Sequence, residues 1–415
     1  MRYFKGRLAE NIFSMLTLRG LEYVLALALI PYLVRVLGPE RFGAVAFMQG
    51  LVQYCNLVVD YGFNLTAPRD IAQADKNDWP RLFSSFMAAK VLLLLVVTML
   101  AVVLYFVLAA FCIFLDVPLF WAVYTLVLGN ILFPIWFFQG IQEMRYITIM
   151  NVIGRVVTTA GIFLLVSSPA DYVAAAFFQA ATPLVAGAAS LWWLFRHYPS
   201  LWVRPSWGNI CHAYREGWNI FLSTVAINFY TASNVVILGF LTNNTVVGYY
   251  SSAAKLIDCV KRLMDPVSQA VYPHISRLMG ESKEKGFQFL HKMLLLFASG
   301  GILLFLVVLF GAPFIVHLIL GGQYEAAVLP LQIMAMVPLM VAMSNIFGIQ
   351  IMLPLGMEKT FSRILMVSAV VNTLCIIPLS LWQGAAGTAL TMAITETFVT
   401  VTMGYILWKK NILFR

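Results

Sequence analysis

The chain has 415 residues, 61% of them hydrophobic and only 11% charged, with a formal net charge of +9 and a mean hydropathy of +0.86. A water-soluble fold cannot hide that much apolar surface, so lipid must be the solvent for most of the chain. The positive charge follows a membrane topology, set out below, and needs no nucleic acid to explain it.

A hydrocarbon layer about 30 Å thick takes roughly 20 helical residues to cross. Twelve stretches meet that length, near 9–36, 43–65, 83–110, 119–138, 147–167, 171–195, 218–241, 246–276, 292–319, 326–351, 360–381 and 386–408. In the first, Ala26-Leu27-Ala28 mimics a signal-peptidase site. Arg19 and Glu22 interrupt the apolar run before it, so it is expected to remain an uncleaved helix. The third and fourth stretches are parted only by Asp116-Val117-Pro118, and the eighth is the least apolar.

The basic residues of the connections alternate in side. Arg2, Lys5 and Arg7 precede the first stretch. On the same side of a twelve-helix path fall Arg69, Lys76, Arg81, Arg145, Arg196, Arg204, Arg215, Arg277, Lys283, Lys285, Lys292, Lys359, Arg363, Lys409, Lys410 and Arg415. The other side holds Arg41, with Arg35 near its edge. The positive-inside rule then predicts both termini in the cytoplasm.

The outward connections, 37–42, 111–118, 168–170, 242–245, 320–325 and 382–385, are too short to hold a folded domain. Their carboxylates (Glu40, Asp116, Asp171, Glu325) are isolated and read as solvated groups or helix caps. There is no nucleotide cradle, nucleophile elbow or metal spacing, and five scattered cysteines give no disulfide framework, so neither an enzyme nor a metal cofactor is expected. Trp136-Phe137-Phe138 and Trp192-Trp193 lie near helix ends and are expected to form interfacial belts.

The polar segment 197–217, with Trp202, Pro205 and Trp207 among basic residues, is predicted to lie on the inner membrane surface. It separates a first half (1–196) from a second (218–415), each with six stretches entering in the same direction. Asn11-Ile12-Phe13 is echoed by Asn219-Ile220-Phe221, and Gly43 by Gly248. The expected fold is all-α: about twelve transmembrane helices in two six-helix bundles related by a pseudo-two-fold axis along the membrane normal, with a site between the halves.

Ionisable side chains cost about 2.5–3.5 kcal/mol each at helix centres, so those present should face water or a partner. Arg19 and Glu22 can pair on one face of the first helix. Asp60, Lys90, Arg155 and Glu396 stand alone on theirs, and Lys90 is expected to snorkel to the inner surface. On the eighth stretch Lys255, Asp258, Lys261, Arg262 and Asp265 fall within an arc of about 120°. Pro266, just beyond, is the best candidate for a functional bend. From sequence two readings stay open: neutralised pairs that orient helices, or a wet cavity whose cations hold an anion and whose carboxylates take up protons.

Ile30-Pro31-Tyr32-Leu33-Val34-Arg35-Val36-Leu37-Gly38-Pro39-Glu40-Arg41-Phe42-Gly43, then Asp60-Tyr61-Gly62-Phe63-Asn64 and Ala67-Pro68-Arg69-Asp70-Ile71-Ala72, form a recognisable pattern. Trp136-Phe137-Phe138-Gln139-Gly140 with Met144-Arg145-Tyr146 extends it. The pattern resembles the polysaccharide transporter family of Wzx-type oligosaccharide flippases. That family belongs to a superfamily that also holds multidrug exporters and lipid II flippases. The resemblance implies two six-helix bundles in a bacterial inner membrane. The implied task is moving an undecaprenyl-pyrophosphate-linked oligosaccharide, such as an O-antigen unit, to the periplasmic leaflet by alternating access. On this reading Arg19, Arg155, Lys255, Lys261 and Arg262 would hold pyrophosphate or acidic sugar. Glu22, Asp60, Asp258 and Glu396 are candidates for coupling to an H+ or Na+ gradient. Expected partners are the lipid-linked substrate, membrane lipids and polysaccharide polymerase or chain-length proteins. A multidrug or cation exporter and a lipid II flippase are the alternatives; an exporter would favour an acidic, aromatic cavity, whereas the deep charges here lean basic by one.

Overall fold

The structure is a computed structural model that describes residues 2–110, 116–262, 275 and 283–410. Side chains are described for 25, 28–107, 110, 116–218, 220–222, 224–225, 233–261, 275, 288–290 and 293–410. The side chains of Arg19, Glu22 and Arg262, and residues Asp265 and Pro266, therefore lie outside the described residues.

Among those residues the chain is helical throughout. The elements are α1 (Arg2–Asp60), α2 (Phe63–Gln73), α3 (Trp79–Ala110), α4 (Val117–Leu132), α5 (Ile135–Gly140), α6 (Met144–Leu165), α7 (Tyr172–Ala180), α8 (Thr182–His197), α9 (Trp207–Leu241) and α10 (Asn244–Arg262). There follow α11 (Lys283–Ile315), α12 (Val328–Met334), α13 (Val337–Asn345) and α14 (Glu358–Lys409). Among the described residues eight helical segments are long and apolar enough to cross a membrane.

Every hydropathy stretch falls largely on helix, the eighth as far as Arg262, and among the described residues the predicted turns at 37–42, 168–170, 242–245, 320–325 and 382–385 coincide with backbone breaks. Gly38 leaves the helical region inside α1 (φ 70°, ψ 171°). Gln383 and Gly384 do so inside α14, the latter at φ 52°. Beyond that break α14 folds back on itself: Ser380 and Thr388 hydroxyls bond at 2.8 Å, and Asn372 Nδ2 donates to Thr395 Oγ1 at 3.2 Å.

Two carboxylates of the connections expected to face outward act as caps. Asp116 accepts from the Leu119 amide at 3.1 Å and from the Tyr172 hydroxyl, closing the start of α4. Asp171 accepts from the Ser168 amide and hydroxyl, each at 2.9 Å.

The polarity of the fold is that of a protein dissolved in lipid. α3 presents Leu95, Met99, Leu100, Val103, Leu104 and Phe106 outward, and α11 presents Leu303, Val307, Phe310 and Phe314. Buried positions include Asn56, Ser84, Lys90, Thr158, Asn234, Asn372 and Thr391. Exposed apolar faces of this extent need an apolar solvent.

The chain divides into two compact units, one of Met1–Leu37 with Met48–Val225, the other of Gly38–Phe47 with Ala226–Arg415. In the first, α4 and α8 approach so closely that a methyl on Gly129 would overlap the backbone at Leu184. In the second, the segment after the Gly38 break packs on α10 through the two echoed glycines. A methyl on Gly43 would overlap the Asn244 carbonyl, and one on Gly248 the Pro39 carbonyl.

Two expectations are corrected. Trp136, Phe137 and Phe138 are fully buried, so they form core, not an interfacial belt. Trp136 packs on Phe83 and Phe86 at centroid distances of 5.5 and 5.6 Å. Trp192, at 64% exposure, does face outward. Lys90 does not snorkel. It is 1% exposed and its ammonium meets Asp60 at 3.0 Å, because an opposite charge is within reach inside the bundle.

Candidate functional site

Each unit carries a polar cluster inside an otherwise apolar frame. In the first, α1 ends at Asp60, where Tyr61 (φ 45°) and Gly62 (φ 80°) turn the chain before α2. The left-handed Tyr61 is held by stacking on Phe221 at 4.7 Å and by an edge contact with Tyr214 at 5.3 Å. Burial beside Tyr61 and Cys211 pushes the Tyr214 phenol up to about 12. It thus stays protonated and donates to the Ala89 carbonyl at 2.7 Å.

Asp60 is the end of a hydrogen-bonded chain across three helices. Asn130 on α4 donates to Asn56 Oδ1 at 2.7 Å, Asn56 donates to Asp60 at 3.4 Å, and Lys90 on α3 closes the chain on the other Asp60 oxygen. At the polar end of the same unit, Asp70, Gln73, Asp78, Arg81, Asn209 and His212 surround an open groove of about 400 Å³. Arg69 beside it bridges Asp70 (2.9 Å) and Glu216 (3.0 Å). Arg155 is half-buried on α6.

The second unit gathers three of the nominated residues in one cavity of about 260 Å³. α10 supplies Tyr250, Asp258 and Lys261 from one face. α14 supplies Asn372 from before its break, and Met392, Thr395 and Glu396 from after it; α9 supplies Asn234. Lys261 Nζ lies 2.6 Å from Asp258 Oδ1. Glu396 lines the cavity together with both of them. Lys255, on the same helix, lays its ammonium over the Phe42 ring, 4.7 Å from the centroid.

Asn234, Asn372 and Thr395 are site residues that charge-based reading misses. The signal was present: an asparagine in an apolar helix must also find a partner in the interior. The amide oxygens of Asn234 and Asn372 are buried without a hydrogen-bond partner among the described residues. Chemically, this cavity suits small cations at its carboxylates and amide oxygens, and an anion at its ammonium. No group of three or more metal-ligating side chains is present among the described residues.

Residues 8–279 match the family described as polysaccharide biosynthesis protein. A protein of Escherichia coli (strain K12) named for O-antigen transport is 33% identical over 406 residues, 96% of each chain. Two solved structures share the fold. The lipid II flippase MurJ in an inward closed conformation gives a TM-score of 0.71 at 12% identity, covering 96% of this chain and 87% of its own. An inward-facing multidrug resistance transporter of the MATE family gives 0.73 at 14% identity, covering 94% of each chain.

Proposed function

The chain belongs to the polysaccharide biosynthesis protein family, and we propose that it is a flippase for an undecaprenyl-pyrophosphate-linked oligosaccharide of the O-antigen kind. The observation that carries this reading is end-to-end similarity to a relative named for O-antigen transport, at 33% identity over 96% of both chains. The likeness to transporters extends over the same length in fold.

The physical chemistry of such a substrate supports the reading. A pyrophosphate and a glycan need shelter from hydrocarbon, whereas the lipid tail does not and can stay in the bilayer. Arg155, Lys255 and Lys261, with Arg19 and Arg262, are proposed to grip phosphate or acidic sugar; guanidinium does so bidentately and ammonium as a point charge. Asp258 and Glu396, which share a cavity with Lys261, are proposed to couple movement to an H+ or Na+ gradient. Asp60 and Glu22 are secondary candidates, and Asp60 is already matched by Lys90. The proposed setting is a bacterial inner membrane with both termini cytoplasmic, where polymerase and chain-length proteins would receive the product.

Complementation of a strain lacking its O-antigen flippase tests this. Restored surface glycan with wild-type protein, reduced by Arg155→Ala and partly regained by Arg155→Lys, is the expected result. Failure to restore glycan at normal expression and membrane insertion would refute it.

A further inference from the structure

The cavity of the second unit holds more acceptors than donors. Two carboxylates, Asp258 and Glu396, face one ammonium, Lys261. With all three ionised these described groups leave one excess negative charge, shared between Asp258, whose side chain is 48% exposed, and the half-buried Glu396; it is costly to the extent that water is excluded. The Asn372 amide adds to the imbalance. Thr395 Oγ1 already gives its proton to the Thr391 carbonyl at 2.8 Å, so Asn372 must present its NH2 to Thr395. Its oxygen is left on the cavity wall, buried and unpartnered.

The one cation among the described lining residues is shared. Lys261 meets Asp258 at 2.6 Å and lines the same cavity as Glu396. An ammonium on a flexible four-carbon stem is a monovalent cation on a tether. A proton or alkali cation entering the cavity supplies the same charge and loosens the carboxylates' hold on that tether. Among the described residues lining the cavity the one further ionisable group is the Tyr250 hydroxyl. α12 and α13, packed on α10, bring no charged side chain. Glu40, Arg41 and Glu325, on neighbouring segments, are not in the cavity lining.

On the flippase reading above, we infer that Lys261 is a tethered cation which the coupling ion displaces, and that the freed ammonium is what meets the substrate phosphate. Ion and substrate are thereby linked through one side chain. While Asp258 and Glu396 are both charged, Lys261 is held back; once either is neutralised, it is released. Linkage is reciprocal, so substrate must raise ion affinity by the same factor as ion raises substrate affinity.

The test measures binding of undecaprenyl pyrophosphate to the full-length protein in nanodiscs. One series lowers pH without sodium, and the other raises sodium at fixed alkaline pH. Wild-type affinity should rise about 5- to 150-fold in one series, which identifies the ion. Asp258→Asn, which imitates the neutralised state, should bind at the ion-saturated affinity with no ion added. Lys261→Ala should bind weakly and lose the ion dependence; Lys261→Gln serves if the alanine variant does not fold, judged by its thermal melt. Unchanged ion dependence in the Lys261 variants, no ion dependence in wild type, or wild-type behaviour of Asp258→Asn would each overturn the inference. Wild-type protein that does not bind the lipid at all would refute the flippase reading, and this inference with it.

Discussion

Removing the Asp60 carboxylate should cost more than removing the lysine that pairs with it. Asp60→Asn strands the Lys90 ammonium, which is 1% exposed and 3.0 Å from the lost charge. Deleting one partner of a buried pair costs about 3–5 kcal/mol, because the remaining charge has neither water nor counter-ion. Lys90→Met leaves a milder remnant. The Asp60 side chain is 26% exposed and keeps the Asn56 amide at 3.4 Å, so water can take over part of the ammonium's role. A loss of about 1–2 kcal/mol is expected, in the range for one unmade hydrogen bond to a charged group. With both substitutions the stranded charge is gone, and the double variant should resemble Lys90→Met alone. The cycle should then return a coupling energy equal in size to the Asp60→Asn loss, about 3–5 kcal/mol. Unfolding in mixed micelles, followed by tryptophan fluorescence, gives the four stabilities. Equal losses from the two single substitutions, or strict additivity, would refute the idea that the pair is dry on the lysine side and wet on the aspartate side.

Gly43→Ala would drive a methyl into the Asn244 carbonyl and should cost about 1–3 kcal/mol or more, as overpacking does. Gly300→Ala, with nothing within 4 Å, should stabilise α11 by about 0.5–1 kcal/mol in the same unfolding assay. Trp136→Ala empties a fully enclosed site and should cost about 3–5 kcal/mol, whereas Trp192→Ala, at a 64% exposed position, should change the midpoint little. Asp116→Ala removes the cap on Leu119 and the Tyr172 bond; a loss of about 1–2 kcal/mol, with faster amide exchange confined to the first turn of α4, is the expected pattern.

Much of the fold is written in hydropathy, because in lipid every backbone group must be satisfied within its own segment. The breaks at Gly38 and at Gln383-Gly384 fall where the outward turns were read. The glycines taken as echoes of duplication, Gly43 and Gly248, turn out to lie against each other's segments. Side-chain partners were less legible, since they are set by tertiary packing. Asp258 has basic residues three or four positions away on both sides, and sequence spacing alone does not choose Lys261. The Trp136 run lies at a helix end, as a belt would, yet Phe83 and Phe86 of α3 enclose it. The family pattern also has a structural meaning. A methyl on Gly140 would strike Ile71 and the Pro68 carbonyl, so two of its segments are one packed joint between α2 and α5. Motif residues thus report the frame, while the cavity residues Asn234 and Asn372 lie outside any motif.

Transport itself is the most direct measurement. Purified protein in proteoliposomes, given a fluorescent undecaprenyl-pyrophosphate oligosaccharide in one leaflet, should move it to the other when a proton or sodium gradient is imposed. Glu396→Gln and Lys261→Ala should each slow that movement at least about tenfold, a barrier change of roughly 1.4 kcal/mol. Labelled lipid that stays in its leaflet despite correctly inserted wild-type protein, or equal rates in all three proteins, would contradict the account.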